Sequence, residues 1–385
     1  MRELSTRTSF PRSGARLAIH RKVTPRAKGL TILQIVPRLP PAIDGVGDYA
    51  LALASALRST HGIQTRFMVS DPAWEGKSTI AEFTVTRLRE ASASVLKSSL
   101  SEVRVPSTIL LHYVGYGYHR QGCPFWLVKG LRGWLAEDRQ RRVVTMFHEL
   151  FAFGPPWRRS FWTSPFQRHL TKVLACASSA CITNRKASAT ILNRLRYEQQ
   201  PAVKSLPVFS NFGEPSSPRQ LSERQPRMAV YGRLRMGRTA PSKLGWKLTD
   251  FCREHGIKTL VTFGSHRLDS GDVGLPVQNR GHLSGQEISD LLLNCRAAYL
   301  DYFDAHLAKS GIFAAYCAHG LLPVLRTDNW SEEDGLRSGV HYRHLGEAAA
   351  LSPSRQSAIA AAAGEWYQGH AIGPTSALFA SMLSC

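Results

Sequence analysis

Along the chain, short apolar runs rich in β-branched residues alternate with longer stretches whose apolar positions recur every three or four residues. The runs lie at 30–36, 64–70, 108–114, 142–148, 180–183 and 204–209, then at 227–231, 258–263, 277–281, 297–302 and 322–326. Most are apolar on both faces, as strands buried in a parallel sheet must be. Helical spacing is clearest at 49–57, 125–136, 285–294 and 312–318, and the last 30 or so residues are Ala-rich and helical. Strands separated by helix-length segments predict an α/β fold with mostly parallel sheets. Residues 213–226, inside a stretch rich in Pro, Ser and charge, read as a linker, so two doubly wound domains are expected at 30–212 and 227–360. In such domains ligands bind at the carboxyl ends of the strands, here in the cleft between the two.

Composition narrows the classes. With 385 residues, 43% hydrophobic and 20% charged, the chain is long enough for more than one core and is not of disordered composition. No run approaches the roughly 20 apolar residues of a membrane-spanning helix. Seven scattered cysteines without a C-x-x-C pair, and histidines without H-E-x-x-H, speak against a zinc site and a disulfide framework and fit a reducing cytosol. Lys and Arg number 49 against 28 Asp and Glu, a formal charge of +21, which predicts attraction to something polyanionic. Residues 1–29 are basic and Ser/Thr-rich, as in a disordered arm or an organelle transit peptide.

Four stretches carry candidate chemistry. Lys309-Ser310-Gly311 precedes the helical run from Ile312, with Gly320 placed for a left-handed helix end and Pro323 beyond it. A helix start offers unpaired N–H groups and a positive dipole end, a seat for a diphosphate to which Lys309 adds charge; an ordinary Ser N-cap with a solvated Lys is the alternative. Gly45-Val46-Gly47-Asp48-Tyr49-Ala50, with Asp71 further on, fits the dinucleotide fingerprint and makes an NAD-type oxidoreductase a rival. The intervening residues 37–44 hold these glycines away from the strand end and suit a wall of an open substrate cleft instead. Gly232, Arg233 and Arg238 follow the first strand of the second half, where the two guanidinium groups could clamp phosphates. His148, at a strand's carboxyl end, either points into the cleft to bind a hydroxyl or phosphate or is a satisfied structural histidine. A fifth segment, 155–172, mixes Trp157 and Trp162 with Arg158 and Arg159; it reads as a membrane-surface contact, a stacking platform for single-stranded nucleic acid, or a lid.

Over 30–385 the chain resembles GT-B glycosyltransferases of the family 4 or family 1-like type. The resemblance rests on ILQIVPRLPPAIDGVGDYALALASAL, VVTMFHELFAFG, VYGRLRMGR, VQNRGHLSGQEISDLLLNCRAAYLDY and HLAKSGIFAAYCAHGLLPV. It implies two Rossmann-like domains facing across a cleft, the first on the acceptor side, the second holding a nucleotide-sugar, and a helix at 361–385 packing back on the first. It implies sugar transfer, with retention and without an obligatory metal or cofactor, to a polysaccharide, cell-envelope or lipid-linked acceptor. Arg233, Arg238, Gly232, Lys309, Ser310, Gly311 and Ile312 would hold the diphosphate, and Arg233, Arg238 and His148 would act in catalysis. Gly45, Val46, Gly47 and Asp48 would line the acceptor and sugar side. The expected partners are a nucleotide-sugar, a glycan or lipid-linked acceptor and an anionic membrane, without specific nucleic acid. One departure stands out: counted back from Gly320, the places of the family's two glutamates hold Leu307 and Ala315. That leaves an altered donor grip, or an inactive GT-B-like or polyanion-binding relative, as the alternatives.

Overall fold

The computed structural model describes residues 29–102, 107–232, 243–265, 267–326, 331–347 and 350–384. The first half runs β1 (Thr31–Val36), α1 (Gly45–His61), β2 (Gln64–Val69), β3 (Thr79–Ile80), β4 (Phe83–Arg87), α2 (Ala93–Glu102), β5 (Thr108–Tyr113), α3 (Gly115–Tyr118), α4 (Phe125–Leu135), β6 (Arg142–Phe147), α5 (Arg159–Ala177), β7 (Ala180–Thr183), α6 (Lys186–Leu195) and β8 (Lys204–Ser205). The second runs β9 (Gln225–Tyr231), α7 (Lys243–Glu254), β10 (Thr259–Phe263), α8 (Ser270–Val273), β11 (Val277–Asn279), α9 (Gly285–Asn294), β12 (Cys295–Leu300), α10 (Gly311–Ala318), β13 (Leu322–Leu325), β14 (Arg343–His344), α11 (Pro353–Gln368) and α12 (Ile372–Ser384).

Two separate sheets result. The first has the order β3-β4-β2-β1-β5-β6-β7-β8, parallel except for the β3–β4 hairpin; the second is β11-β10-β9-β12-β13-β14, parallel throughout. Each winds outward in both directions from its first strand, so the order reverses between β1 and β5 and between β9 and β12. Those reversals are where loops splay apart and leave room for a ligand. The halves are also tied together. Tyr49, Leu53 and Leu57 of α1 share an apolar cluster with Phe379, Ala380 and Leu383 of α12. His61 Nε2 and Ser376 Oγ lie 3.3 Å apart, and Arg142 donates to the Met382 carbonyl at 3.0 Å. Glu214 accepts from the Tyr367 hydroxyl and from the Ile372 amide at 2.7 Å, pinning the turn between α11 and α12.

Several elements differ from the pattern-based expectation. α1 begins at Gly45, not Tyr49, because the Asp44 carboxylate caps it four residues earlier. Of the run 204–209 only Lys204 and Ser205 pair in the sheet. β9 begins at Gln225, inside the segment read as linker, and β12 begins at Cys295. The segment 155–172 is largely the helix α5, whose period is blurred by the internal Pro165 and by outward-facing aromatics.

Candidate active site

Both reversal points open into one crevice. A cavity of about 330 Å³ lies between the halves, lined from the first by Asp44, Gly45, Val46, Tyr49, His148 and Glu149 and from the second by Tyr302, Lys309, Ser310, Gly311 and Ile312. A second cavity of about 430 Å³ opens mainly on the first half and shares His148, Glu149, Asn184 and Lys309 with it. These four residues form the wall between the two spaces. Gly47, Asp48 and Gly232 line neither. Arg233 and Arg238 lie outside the described residues.

The C-terminal wall is built by the 3₁₀ turn Asp304–Lys309 after β12, which delivers the chain to α10. The Ala308 carbonyl accepts from the Val208 amide at 2.9 Å, anchoring this turn to the first half. Ser310 Oγ accepts from the Phe313 amide at 3.1 Å, an N-cap that satisfies one orphan donor of the helix. Gly311 sits against Asn211, whose Oδ1 would lie 2.5 Å from any added Cβ, so only glycine lets the two halves approach this closely. Lys309 Nζ donates to Glu149 Oε1 at 2.9 Å across the crevice. Ser310 is therefore an N-cap and Lys309 a cleft cation at once. Gly320, at φ +63°, ends the helix as expected.

Leu307 and Ala315 are both core residues, 1% and 0% exposed. A carboxylate in either place would be buried without a partner, so this chain cannot use them as donor-sugar ligands.

The N-terminal wall contains a histidine pair. His148 follows β6 and His112 lies within β5; the strands are adjacent, and His112 Nδ1 and His148 Nε2 are 3.1 Å apart. His112 Nε2 lies 2.8 Å from Gln34 Oε1 on β1, and Gln34 Nε2 reaches Thr65 Oγ1 at 3.5 Å. With the amide so oriented, His112 donates through Nε2 and accepts through Nδ1, and His148 donates through Nε2. The remaining nitrogen of a neutral His148, Nδ1, is then an acceptor. Tyr49 caps the pair edge-on, its ring centroid 5.1 Å from that of His148. Burial pushes the His148 pKa down to about 3, and burial followed by the His148 charge lowers that of His112. Both rings are thus neutral at physiological pH. Asn184, at the end of β7, donates to the His148 carbonyl at 3.2 Å and fixes the loop. Burial also raises the Tyr302 hydroxyl to about 12, so it serves as a donor.

Sequence reasoning did not find His112, Asn184, Glu149 or Tyr302. The first is hidden within an apolar strand; the others occupy the residues just beyond β7, β6 and β12, a position a search for strand ends would have reached.

The start of α1 looks similar but is occupied. Asp44 Oδ1 accepts from the Val46 amide at 2.9 Å and the Gly47 amide at 3.4 Å. A Cβ on Gly47 would lie 2.4 Å from the Arg38 carbonyl oxygen, so this glycine serves close packing. Asp71 is held by Arg38 Nε at 2.7 Å. A dinucleotide would meet a carboxylate where its pyrophosphate belongs and an already paired acid where its ribose belongs.

No protein-family model matches this chain, and no curated protein sequence does. Solved structures do. The chain is similar to an α-glucosyltransferase in complex with UDP and a 13-mer DNA (10% identity, TM-score 0.55, 92% of this chain and 100% of that one). It is similar to the UDP-GlcNAc 2-epimerase of Neisseria meningitidis bound to UDP-GlcNAc (10% identity, TM-score 0.56, 92% and 100%). A glycosyltransferase of Rickettsia africae ESF-5 is a third (11% identity, TM-score 0.56, 93% and 99%). At such identities the likeness establishes the fold: two parallel-sheet Rossmann-like domains, the GT-B architecture. The DNA bound to the first stands in contrast to the expectation of no nucleic-acid partner, though it is a property of that protein.

Proposed function

We propose that the chain is a glycosyltransferase that moves a sugar from a nucleotide-sugar to a polysaccharide, cell-envelope or lipid-linked acceptor, with retention, in the manner of the family 4 and family 1-like enzymes it resembles. The observation that carries the reading is the crevice in which Lys309 and the α10 start face Gly45, Val46 and His148. The diphosphate seats on the first-turn amides of α10, with Lys309 shared between it and Glu149. Arg233 and Arg238 would add two guanidinium groups to that diphosphate, as the resemblance implies. Charge developing on the departing nucleotide meets donors already in place, which lowers the barrier without reorganisation. Neutral His148 offers its Nδ1 lone pair to a sugar hydroxyl, and the larger neighbouring cavity takes the acceptor. No metal or cofactor is required by this scheme. The acceptor side extends to an anionic membrane through Trp157, Arg158, Arg159 and Trp162.

A thermal-shift screen of the full chain against UDP, GDP, ADP and their sugars, with NAD as control, tests the reading. Stabilisation by one nucleoside diphosphate and its sugars is expected; stabilisation by NAD alone would overturn it. A nucleotide-sugar epimerase shares the fold and the need for such a seat. Conversion of the donor sugar with no acceptor present would favour that second reading.

A further inference from the structure

From Leu150 to Tyr197 the chain contains eight Lys and Arg residues and no Asp or Glu. An acid-free stretch of this length concentrates positive charge on the surface it forms. Much of that surface is α5. Its inner face buries Gln167, Leu170, Thr171, Leu174 and Ala175. Its outer face carries Trp162 and Phe166 four residues apart, 67% and 57% exposed, with Trp157 just before it at 83%. Arg158, Arg159, Arg168 and Lys172 stand among these aromatics, exposed, and none has an acidic partner among the described residues.

The neighbouring helix extends the surface. Between α4 and α5 runs an open groove of about 380 Å³ with Phe125, Val128, Leu170 and Val173 along it and Lys129, Arg132 and His169 at its rim. The Phe125 and Phe166 rings meet edge-on across it at 6.4 Å. Aromatic side chains that large are rarely left in water by a monomer unless something covers them. Trp beside Arg, with an apolar trough lined by cations, suits the interface of an anionic bilayer, where rings lie at head-group depth and cations meet phosphates. Nucleic acid would use the cations and could stack on the Trp rings, but has no use for an aliphatic trough.

We infer that the α4–α5 face docks on an anionic phospholipid surface, with the groove seated at the head-group level. The inference deepens the proposed function, and rests on it for one consequence. α5 also forms a wall of the larger cavity: Gln167 Nε2 donates to the Tyr116 hydroxyl at 3.1 Å and the Gln121 carbonyl at 2.8 Å, and its Oε1 accepts from Ala152 at 2.8 Å. Phe153 lines that cavity and is itself exposed. Docking therefore brings the mouth of the acceptor-side cavity to the membrane, and the acceptor it serves is an amphiphile resident there.

The test is flotation of the full chain with vesicles of phosphatidylcholine alone or with about a third phosphatidylglycerol. Binding to the anionic vesicles only, with a blue shift of Trp fluorescence, is expected. Lys129→Glu with Arg132→Glu should lower the partition coefficient by about thirtyfold or more. Trp157→Ala with Trp162→Ala should abolish the blue shift. Equal binding to neutral vesicles, or no binding, overturns the inference. So does binding of single-stranded DNA that is lost in the same variants while vesicle binding persists. Nucleoside-diphosphate affinity is measured on each variant and should not change, because these residues lie away from the crevice. Loss of nucleotide binding by the unmodified chain would instead defeat the proposed function and leave the docking result standing.

Discussion

Two helix starts face each other across the crevice, and they differ in what already sits on them. At α1 the cap is the carboxylate of Asp44, which takes the Val46 and Gly47 amides. At α10 the cap is the neutral hydroxyl of Ser310, which takes the Phe313 amide and leaves the dipole uncompensated, with Lys309 one residue away. Both follow a parallel strand and both have glycine in the first turn; the sequence sets them apart only by the residues 37–44 before α1. Electrostatics separates them. A helix start that has a negative charge of its own repels an anion; one capped by a hydroxyl beside a cation invites it. On the proposed function the diphosphate is assigned to α10, while Gly47 of α1 serves close packing against Arg38.

Charge reversal gives the largest effect on that contrast. Lys309→Glu should weaken nucleoside-diphosphate binding by about a hundredfold or more, since it removes a charge-assisted contact and adds a repulsive one. Asp44→Ala should leave the affinity within about threefold; equal losses in both, measured by calorimetry, would erase the distinction. Next comes packing. Gly47→Ala drives a methyl into the Arg38 carbonyl and should cost about 1–3 kcal/mol of stability in urea denaturation. Gly45→Ala, where nothing lies within 4 Å of the added Cβ, should cost much less. Asp44→Ala itself should cost about 1 kcal/mol through the lost cap.

The smallest effect concerns pH. Unfolded His148 takes a proton near about 6.5 and folded His148 only near about 3, so between those values the unfolded chain holds more protons. Its contribution to stability is fully present above about pH 6.5 and is lost as pH falls toward about 3. His148→Gln should accordingly flatten the dependence of the urea midpoint on pH between about 7.5 and about 5. An unchanged slope would mean that the ring is not held neutral by burial.

Much of the fold could be read along the chain, because buried parallel strands are apolar on both faces and the runs at 30–36, 108–114 and 142–148 leave little alternative. α5 could not, because its outer face carries Trp and Phe where a helix pattern expects polar residues. The site was legible in part on both sides: Gly45, Val46 and His148 line the crevice opposite Lys309, Ser310 and Gly311. Lys309, Ser310 and Gly311 are contiguous and declare a helix start. His112 and Gln34 contribute through cross-strand neighbours 36 and 78 residues away in sequence, a relation that only the sheet order creates. Spacing already set the α1 glycines back from the strand end, but which side chain turns back to cap each helix start is visible only in the fold.

The most direct measurement is calorimetric titration of the full chain and of Lys309→Ala with the nucleoside diphosphate selected by the thermal-shift screen. One site is expected on the unmodified chain, with an affinity about tenfold to a hundredfold lower in the variant and its melting behaviour retained. The same affinity in both proteins would place the diphosphate elsewhere and contradict the assignment of the α10 start as its seat.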